Sequence, residues 1–100
     1  MKPNDLDMNK LKVFCSVVRH GGYAGASREL HLSRSAISQA ISKFEESLEL
    51  KLFNRVGTRI IVTPKAQNFY KDAIQYQAQI EKSMHVLAER SPIEIGVLRA

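Results

Sequence analysis

The residues with the most chemistry to offer lie in one run, Ser33-Arg34-Ser35-Ala36-Ile37-Ser38-Gln39-Ala40-Ile41-Ser42-Lys43-Phe44. If Ser33 caps a helix, Ile37, Ala40, Ile41, Phe44 and Leu48 recur at i, i+3, i+4, i+7 and i+11 and form one apolar stripe. The opposite face carries Ser35, Gln39, Ser42 and Glu46, with Arg34 and Ser38 to one side. Serine is a poor choice for a solvated helix face, because its hydroxyl competes for the backbone, whereas Lys, Glu and Ala cost little there. Short hydroxyls, an amide and an arginine suit a partner that comes close to the helix backbone. Base edges in the major groove of duplex DNA are such a partner, since Arg pairs with guanine, Gln with adenine and Ser with either. For this run taken alone, a polar face that meets only water is the simpler alternative.

The neighbouring sequence supplies a scaffold for that helix. Tyr23 to Leu30 reads as a short helix with Ala26 and Leu30 at i, i+4, and His31-Leu32 leads directly to the cap at Ser33. Two helices joined by so tight a turn, with small residues at their contact, make a helix-turn-helix whose second helix enters the groove. Before them, Asp7 can cap a helix with apolar residues at Leu11, Phe14, Cys15, Val17 and Val18. The pair Gly21-Gly22 ends it, both glycines being expected to supply positive φ. The three helices, about 7 to 20, 23 to 30 and 33 to 49, close around Leu11, Phe14, Val18, Ala26, Leu30, Ile37, Ile41, Phe44 and Leu48.

After Lys51 the period changes. Leu52-Phe53 leads to Arg55, Val56-Gly57-Thr58 interrupts, and Arg59-Ile60-Ile61-Val62-Thr63 is rich in β-branched residues, which predicts a short hairpin or wing. Arg55 and Arg59 flank its turn, within reach of phosphates or of the minor groove beside the recognition helix. Thr63-Pro64 is a strong helix start, Thr at N-cap and Pro at N1. The helix it opens runs to about Arg90, with Ala66, Ala73, Ile80 and Leu87 spaced by seven and Phe69, Tyr70, Tyr76 and Met84 between them. About 26 residues at 1.5 Å each span roughly 39 Å, longer than so small a domain can cover. Its first turns are expected to dock on the domain's own first helix and its middle to pair across a dimer axis. Met1 to Leu6 shows no periodicity, Ser91-Pro92 breaks the long helix, and Ile93 to Val97 alternates like an opening strand. The expected division is therefore a DNA-binding domain over 1–63, a dimerising linker helix over 64–90, and over 91–100 the truncated start of a further domain.

Charge follows the same plan. The net charge is +5, and residues 1–63 hold ten Lys and Arg against six Asp and Glu, while residues 64–100 hold five against four. The excess sits with the helix-turn-helix, as a polyanionic partner requires. Cys15 is the only cysteine, which excludes an internal disulfide or a cysteine-based metal site, and as a free thiol it points to a reducing, cytoplasmic setting. No stretch approaches the ~20 apolar residues of a membrane span. His20, His31 and His85 have no carboxylate or cysteine at ligand spacing, Ser33, Ser35 and Ser38 have no base to share, and there is no glycine-rich phosphate loop. Catalysis and a bound cofactor are accordingly not expected. The competing expectation is a protein-interaction module that recruits a partner through its long helix.

In order and spacing, Leu11-x-x-Phe14, Gly22-Tyr23-Ala24-x-Ala26-Ser27-x-x-Leu30, Ser33-x-x-Ala36-Ile37-Ser38-x-x-Ile41, Phe44-Glu45, Leu52-Phe53-x-Arg55 and Val62-Thr63-Pro64 resemble the N-terminal region of LysR-type transcriptional regulators. The resemblance covers about Leu6 to Arg90. It implies a mainly α fold, a winged helix-turn-helix followed by a long dimerising linker helix, and a homodimer reading an inverted repeat. It also implies that any small-molecule effector acts through a further C-terminal domain, which Ile93 to Val97 would open. Three departures stand out: Ser27 replaces a second Ala, Glu49 a helix-ending Gly, and Gln67 a Gly after Thr-Pro-x-Ala. The resulting site expectation has Arg34, Ser35, Ser38, Gln39 and Ser42 reading bases, and Ser27, Ser33, Lys43, Arg55 and Arg59 on phosphate or at the wing. Ala66, Phe69, Tyr70, Ala73, Tyr76, Ile80, Met84 and Leu87 are expected to line the dimer seam.

Overall fold

The computed structural model describes residues 7–89. The expected lead-in at 1–6, the break at Ser91-Pro92 and the strand at 93–97 lie outside them. Four helices and one hairpin follow in order: α1 Met8–His20, α2 Tyr23–Leu30, α3 Arg34–Leu48, β1 Phe53–Val56, β2 Arg59–Val62 and α4 Pro64–Glu89. The chain is mainly α, and the hairpin after α3 makes it a winged helix-turn-helix.

Local chemistry explains most of the boundaries. The Asp7 carboxylate accepts the amide protons of Asn9 (2.9 Å) and Lys10 (3.4 Å), and the Ser33 hydroxyl accepts that of Ala36 at 3.0 Å. Each thereby satisfies amides that the first turn of a helix leaves unpaired. Thr63 does the same for Ala66 (3.3 Å) and also donates to the Lys51 carbonyl (3.1 Å), so one hydroxyl starts α4 and ties it to the approach of β1. At the α1–α2 junction only Gly21, at φ 71°, is left-handed. Gly22 is extended, a conformation open to any residue, so one positive φ makes the turn where two were expected.

Two other helix ends are left-handed without glycine. His31 and Glu49, both at φ 56°, close α2 and α3. The Glu49 amide donates back to the carbonyls of Glu45 and Glu46, so the recognition helix does stop where expected, at a position that disfavours a side chain. In the hairpin, Phe53, Asn54, Arg55 and Val56 pair with Val62, Ile61, Ile60 and Arg59. The two-residue turn has Gly57 at φ 65° and Thr58 at negative φ, the glycine-first pattern of a type II′ turn.

Helix α1 is the centre of the fold. Leu11, Val13, Phe14, Cys15, Ser16 and Val17 are all buried, because α2, α3 and α4 surround it. Phe14 meets the rings of Phe44, Phe53, Phe69 and Tyr70 at centroid distances of 6.2, 5.8, 5.5 and 6.3 Å. One side chain therefore joins α1, α3, β1 and α4. Of the expected core, Leu11, Phe14, Ala26, Ile37, Ile41 and Phe44 are fully buried, whereas Val18, Leu30 and Leu48 are half-buried at its edge. The structure adds Val13, Cys15, Val17, Leu52, Phe53, Ala66 and Ala73.

Because Ala66 and Ala73 belong to this core, the expected boundary after residue 63 marks a change of secondary structure within one packed unit. Alanine at both positions lets α4 lie close against α1. Beyond Ala73 the stripe opens progressively, with Ala73 3% exposed, Ile80 39% and Leu87 68%, while Gln77, Ile80 and Met84 still border a cleft with Met8, Asn9 and Lys12 of α1.

Candidate nucleic-acid interface

Burial of Ile37, Ile41 and Phe44 fixes the rotation of α3, and the face turned outward carries Arg34, Ser35, Gln39, Ser42 and Lys43, all exposed, with Ser38 half-buried at its margin. All five residues expected to read bases thus lie off the core stripe. Ser33 uses its oxygen as the helix cap, which leaves its hydroxyl proton available to a phosphate oxygen. Ser27 differs. Its hydroxyl donates to the Leu32 carbonyl across the turn between α2 and α3. A hydroxyl has one proton, so Ser27, expected as a phosphate donor, here braces the helix-turn-helix.

The wing arginines are exposed, Arg55 on β1 and Arg59 at the start of β2. They border an open cleft of about 350 Å³ together with Arg34, the stretch Gly21 to Ala24, Thr58 and Ile60. No carboxylate lines it. Among the described residues Arg34, Arg55, Arg59 and Lys43 have no ion-pair partner, whereas Lys10, Arg19 and Lys51 pair with Asp7, Glu29 and Glu45. The cations on the interface face are therefore uncompensated, as are Lys12, Arg28, Lys65, Lys71 and Lys82 elsewhere among the described residues.

Two acidic residues absent from the expected site hold this face together. Glu45 turns inward from α3, and its Oε2 accepts the amide protons of Leu52 (2.7 Å) and Phe53 (3.3 Å), fastening the root of the wing to the recognition helix. Glu29 of α2 reaches back to α1. It accepts from the Ser16 hydroxyl (2.5 Å) and from Arg19 Nη2 (2.5 and 2.7 Å) and lies 3.1 Å from His20 Nε2. The Ser16 hydrogen bond, and then that of Arg19, hold its carboxyl well below the usual range, at about 2. Glu45 stood within the Phe44-Glu45 match. Ser16 gave no signal, because a serine among apolar residues reads as solvent-facing until its partner is known.

Cys15 is buried, and burial pushes its thiol up to about 11, so it serves as packing rather than as a nucleophile. No group of three or more His, Cys, Asp or Glu capable of holding a metal occurs among the described residues. No helix among them is long and apolar enough to cross a membrane.

Of the eight residues expected at the dimer seam, four are committed to the chain's own core: Ala66 and Ala73 are buried, and Phe69 and Tyr70 pack on Phe14. Tyr76, Ile80, Met84 and Leu87 are exposed. The seven-residue repeat is one stripe whose first half is covered by α1 and whose second half is exposed.

A helix-turn-helix with an exposed polar recognition face and a basic wing defines a DNA-binding module. The sequence model of the bacterial regulatory helix-turn-helix protein, lysR family, matches residues 8–67. The chain belongs to this family of transcription regulators. It is 32% identical over 92 residues to the HTH-type transcriptional activator AaeR of Escherichia coli K12, covering 92% of this chain and 30% of that protein. With the RuBisCO operon transcriptional regulator of Allochromatium vinosum it shares 29% identity over 94 residues, 94% of this chain and 31% of that one. The chain therefore spans about a third of the length of these curated relatives. Among solved structures, the BenM DNA-binding domain in complex with catB site 1 DNA superposes with a TM-score of 0.78 at 23% identity, over 83% of this chain and 93% of that one. The probable transcriptional regulator PA0477 from Pseudomonas aeruginosa gives 0.75 at 30% identity, over 81% and 27%.

Proposed function

We propose that this chain binds duplex DNA sequence-specifically as a homodimer, with α3 in the major groove and the wing on the flanking backbone or minor groove. The observation that carries this reading is the division of α3 into a buried Ile37-Ile41-Phe44 stripe and an exposed Ser35-Gln39-Ser42 face, flanked by cations with no carboxylate partner. Ser35, Ser38 and Gln39 read base edges from the N-terminal half of the helix, which lies deepest in the groove, and Ser42 stands at the limit of reach. Lys43, Ser33, Arg55 and Arg59 contact phosphate. Two copies joined through the exposed half of the α4 stripe present two recognition helices to an inverted repeat with half-sites about one or two turns apart. A small-molecule effector, if one regulates the whole protein, acts through a domain outside this chain.

The test is a duplex titration at two salt concentrations. A DNA-binding interface loses affinity steeply as salt rises, through release of condensed counterions. An interaction module working through the apolar stripe of α4 would show weak duplex binding and little response of its own association to salt.

A further inference from the structure

From the cleft between α3 and the wing, we infer that Arg34 is a phosphate anchor that acts together with Arg55 and Arg59 on one phosphodiester of the bound duplex. The inference rests on the reading of this face as a DNA interface and gives one of its residues a different role from its neighbours. Arg34 opens the recognition helix, where an arginine is as able to read guanine as to grip the backbone. Its place in the cleft favours the backbone. Arg34 borders the same cleft as both wing arginines, with Gly21 to Ala24 at the start of α2 forming another side.

Three arginines line one opening of about 350 Å³ with no carboxylate in its lining, which concentrates positive charge there. The first turn of α2 also contains no acidic residue, and its positive end adds to the same potential. An anion entering the cleft offsets that charge and is held from two separate elements. Strand alternation sends Arg55 and Arg59 to opposite faces of the hairpin, since Arg55 pairs with Ile60 and Arg59 with Val56. Both nonetheless line the cleft beside the turn, so they reach an anion there from different sides, with Arg34 supplying the contact from the recognition helix. Closing this triangle on a phosphate sets the angle between helix and wing on the duplex, which leaves Ser35, Ser38 and Gln39 to read bases.

The experiment uses a duplex selected for tight binding and a scrambled duplex of the same length. Arg34→Ala should weaken both by a similar factor, roughly tenfold, and lower the salt slope by up to about one unit. Arg34→Lys should keep most of the affinity, because a point charge still grips phosphate, whereas a two-point guanine contact would be lost. Combining Arg34→Ala with Arg59→Ala should cost less than the two separate losses multiplied. A single methylphosphonate at the shared position should penalise the wild type more than the double variant, which keeps only Arg55 on that phosphate. If Arg34→Ala erases discrimination at one base pair while scrambled-duplex affinity holds, Arg34 reads a base and the inference is overturned. Multiplicative losses, with separate methylphosphonate positions for the two arginines, also overturn it by showing independent phosphates. Failure of the wild type to bind any duplex in a salt-dependent way would instead remove the DNA-binding reading itself, and this inference with it.

Discussion

Glu45 Oε2 lies 2.7 Å from the amide nitrogen of Leu52, joining the recognition helix to the root of the wing across seven residues. The bond stands beside the fully buried Leu52 side chain, and a second amide, that of Phe53, shares the same oxygen at 3.3 Å. A carboxylate is suited to this position because it accepts several donors and has none of its own to satisfy. The relative placement of α3 and the hairpin thus depends on one side chain as well as on the Phe14 cluster.

Glu45→Ala should therefore destabilise the domain by about 1 to 3 kcal/mol, the cost of leaving partly buried amides without an acceptor. Glu45→Gln keeps an acceptor oxygen and should cost less. Urea unfolding of the three proteins measures both differences. Equal stability of Glu45→Ala and wild type would show that water replaces the carboxylate, so that the wing is held by packing alone.

Glu49 gives a prediction of opposite sign. Its backbone is left-handed at φ 56°, the helix-ending conformation in which a Cβ is crowded by the neighbouring backbone. Its side chain makes no hydrogen bond or ion pair among the described residues. Glu49→Gly should raise stability by about 1 kcal/mol, the relief of strain outweighing the added freedom of the unfolded chain. A midpoint of denaturant unfolding that stays level or falls would show that Glu49 is not strained.

Much of this architecture is legible in the residues themselves, and the exceptions share a cause. Asp7, Ser33, Thr63 and Pro64 are local signals: the group that caps and the amide that is capped lie two or three residues apart, so the helix starts can be read directly. Hydrophobic period then turns α3 the right way round. Bonds that span the fold leave no such trace. Ser16 to Glu29 covers thirteen residues and Glu45 to Leu52 seven, and neither bond lies within a single helix or strand pair. The left-handed ends at His31 and Glu49 are hidden because the residues there are not the glycine or asparagine that usually mark them. For α4, heptad spacing finds the apolar stripe but carries no information on where the domain's own surface ends, so Ala66 and Ile80 look alike in sequence and differ in space.

Acid should loosen the junction of α1 and α2. Glu29 titrates at about 2 in the folded chain against an ordinary value of 4.5, held down by the Ser16 hydroxyl and Arg19 and facing His20 as well. A depressed carboxyl stabilises the folded state fully above its unfolded value, and that contribution fades as pH falls from about 4.5 towards 2. Glu29→Gln, which cannot ionise, should flatten the pH dependence of the melting temperature across that window. An unchanged slope would mean that solvent screens this partly exposed group and that other carboxylates set the acid limit.

On α4, the same substitution at two positions one heptad apart should have different consequences. Ala73→Asp places a charge in the core and should unfold the domain, because an unpaired buried carboxylate is not tolerated. Ile80→Asp alters a side chain that is 39% exposed in the single chain and should leave the fold intact. If the exposed stripe of Tyr76, Ile80, Met84 and Leu87 joins two copies, Ile80→Asp converts a dimer to a folded monomer, visible by sedimentation alongside an unchanged circular dichroism spectrum. A folded Ile80→Asp protein that sediments like the wild type would place the association elsewhere.

Gln39 offers the most direct test of base reading. It is exposed in the N-terminal half of α3, on the side away from Ile37 and Ile41, and its amide can both accept from and donate to the edge of one adenine. Gln39→Ala should cost about 1 to 3 kcal/mol on the cognate duplex, the range for a good two-point contact. Affinity for a scrambled duplex should hardly change, since no charge is removed and the salt-dependent term is untouched. Replacing the adenine it faces should penalise the wild type by a similar amount and the variant by little, so the two losses together should fall short of their sum. Equal losses of Gln39→Ala on cognate and scrambled duplexes, or no loss on either, would show that this residue touches no base. Base reading would then rest on Ser35, Ser38 and Ser42, since the buried Ile37, Ile41 and Phe44 hold the helix against rotation.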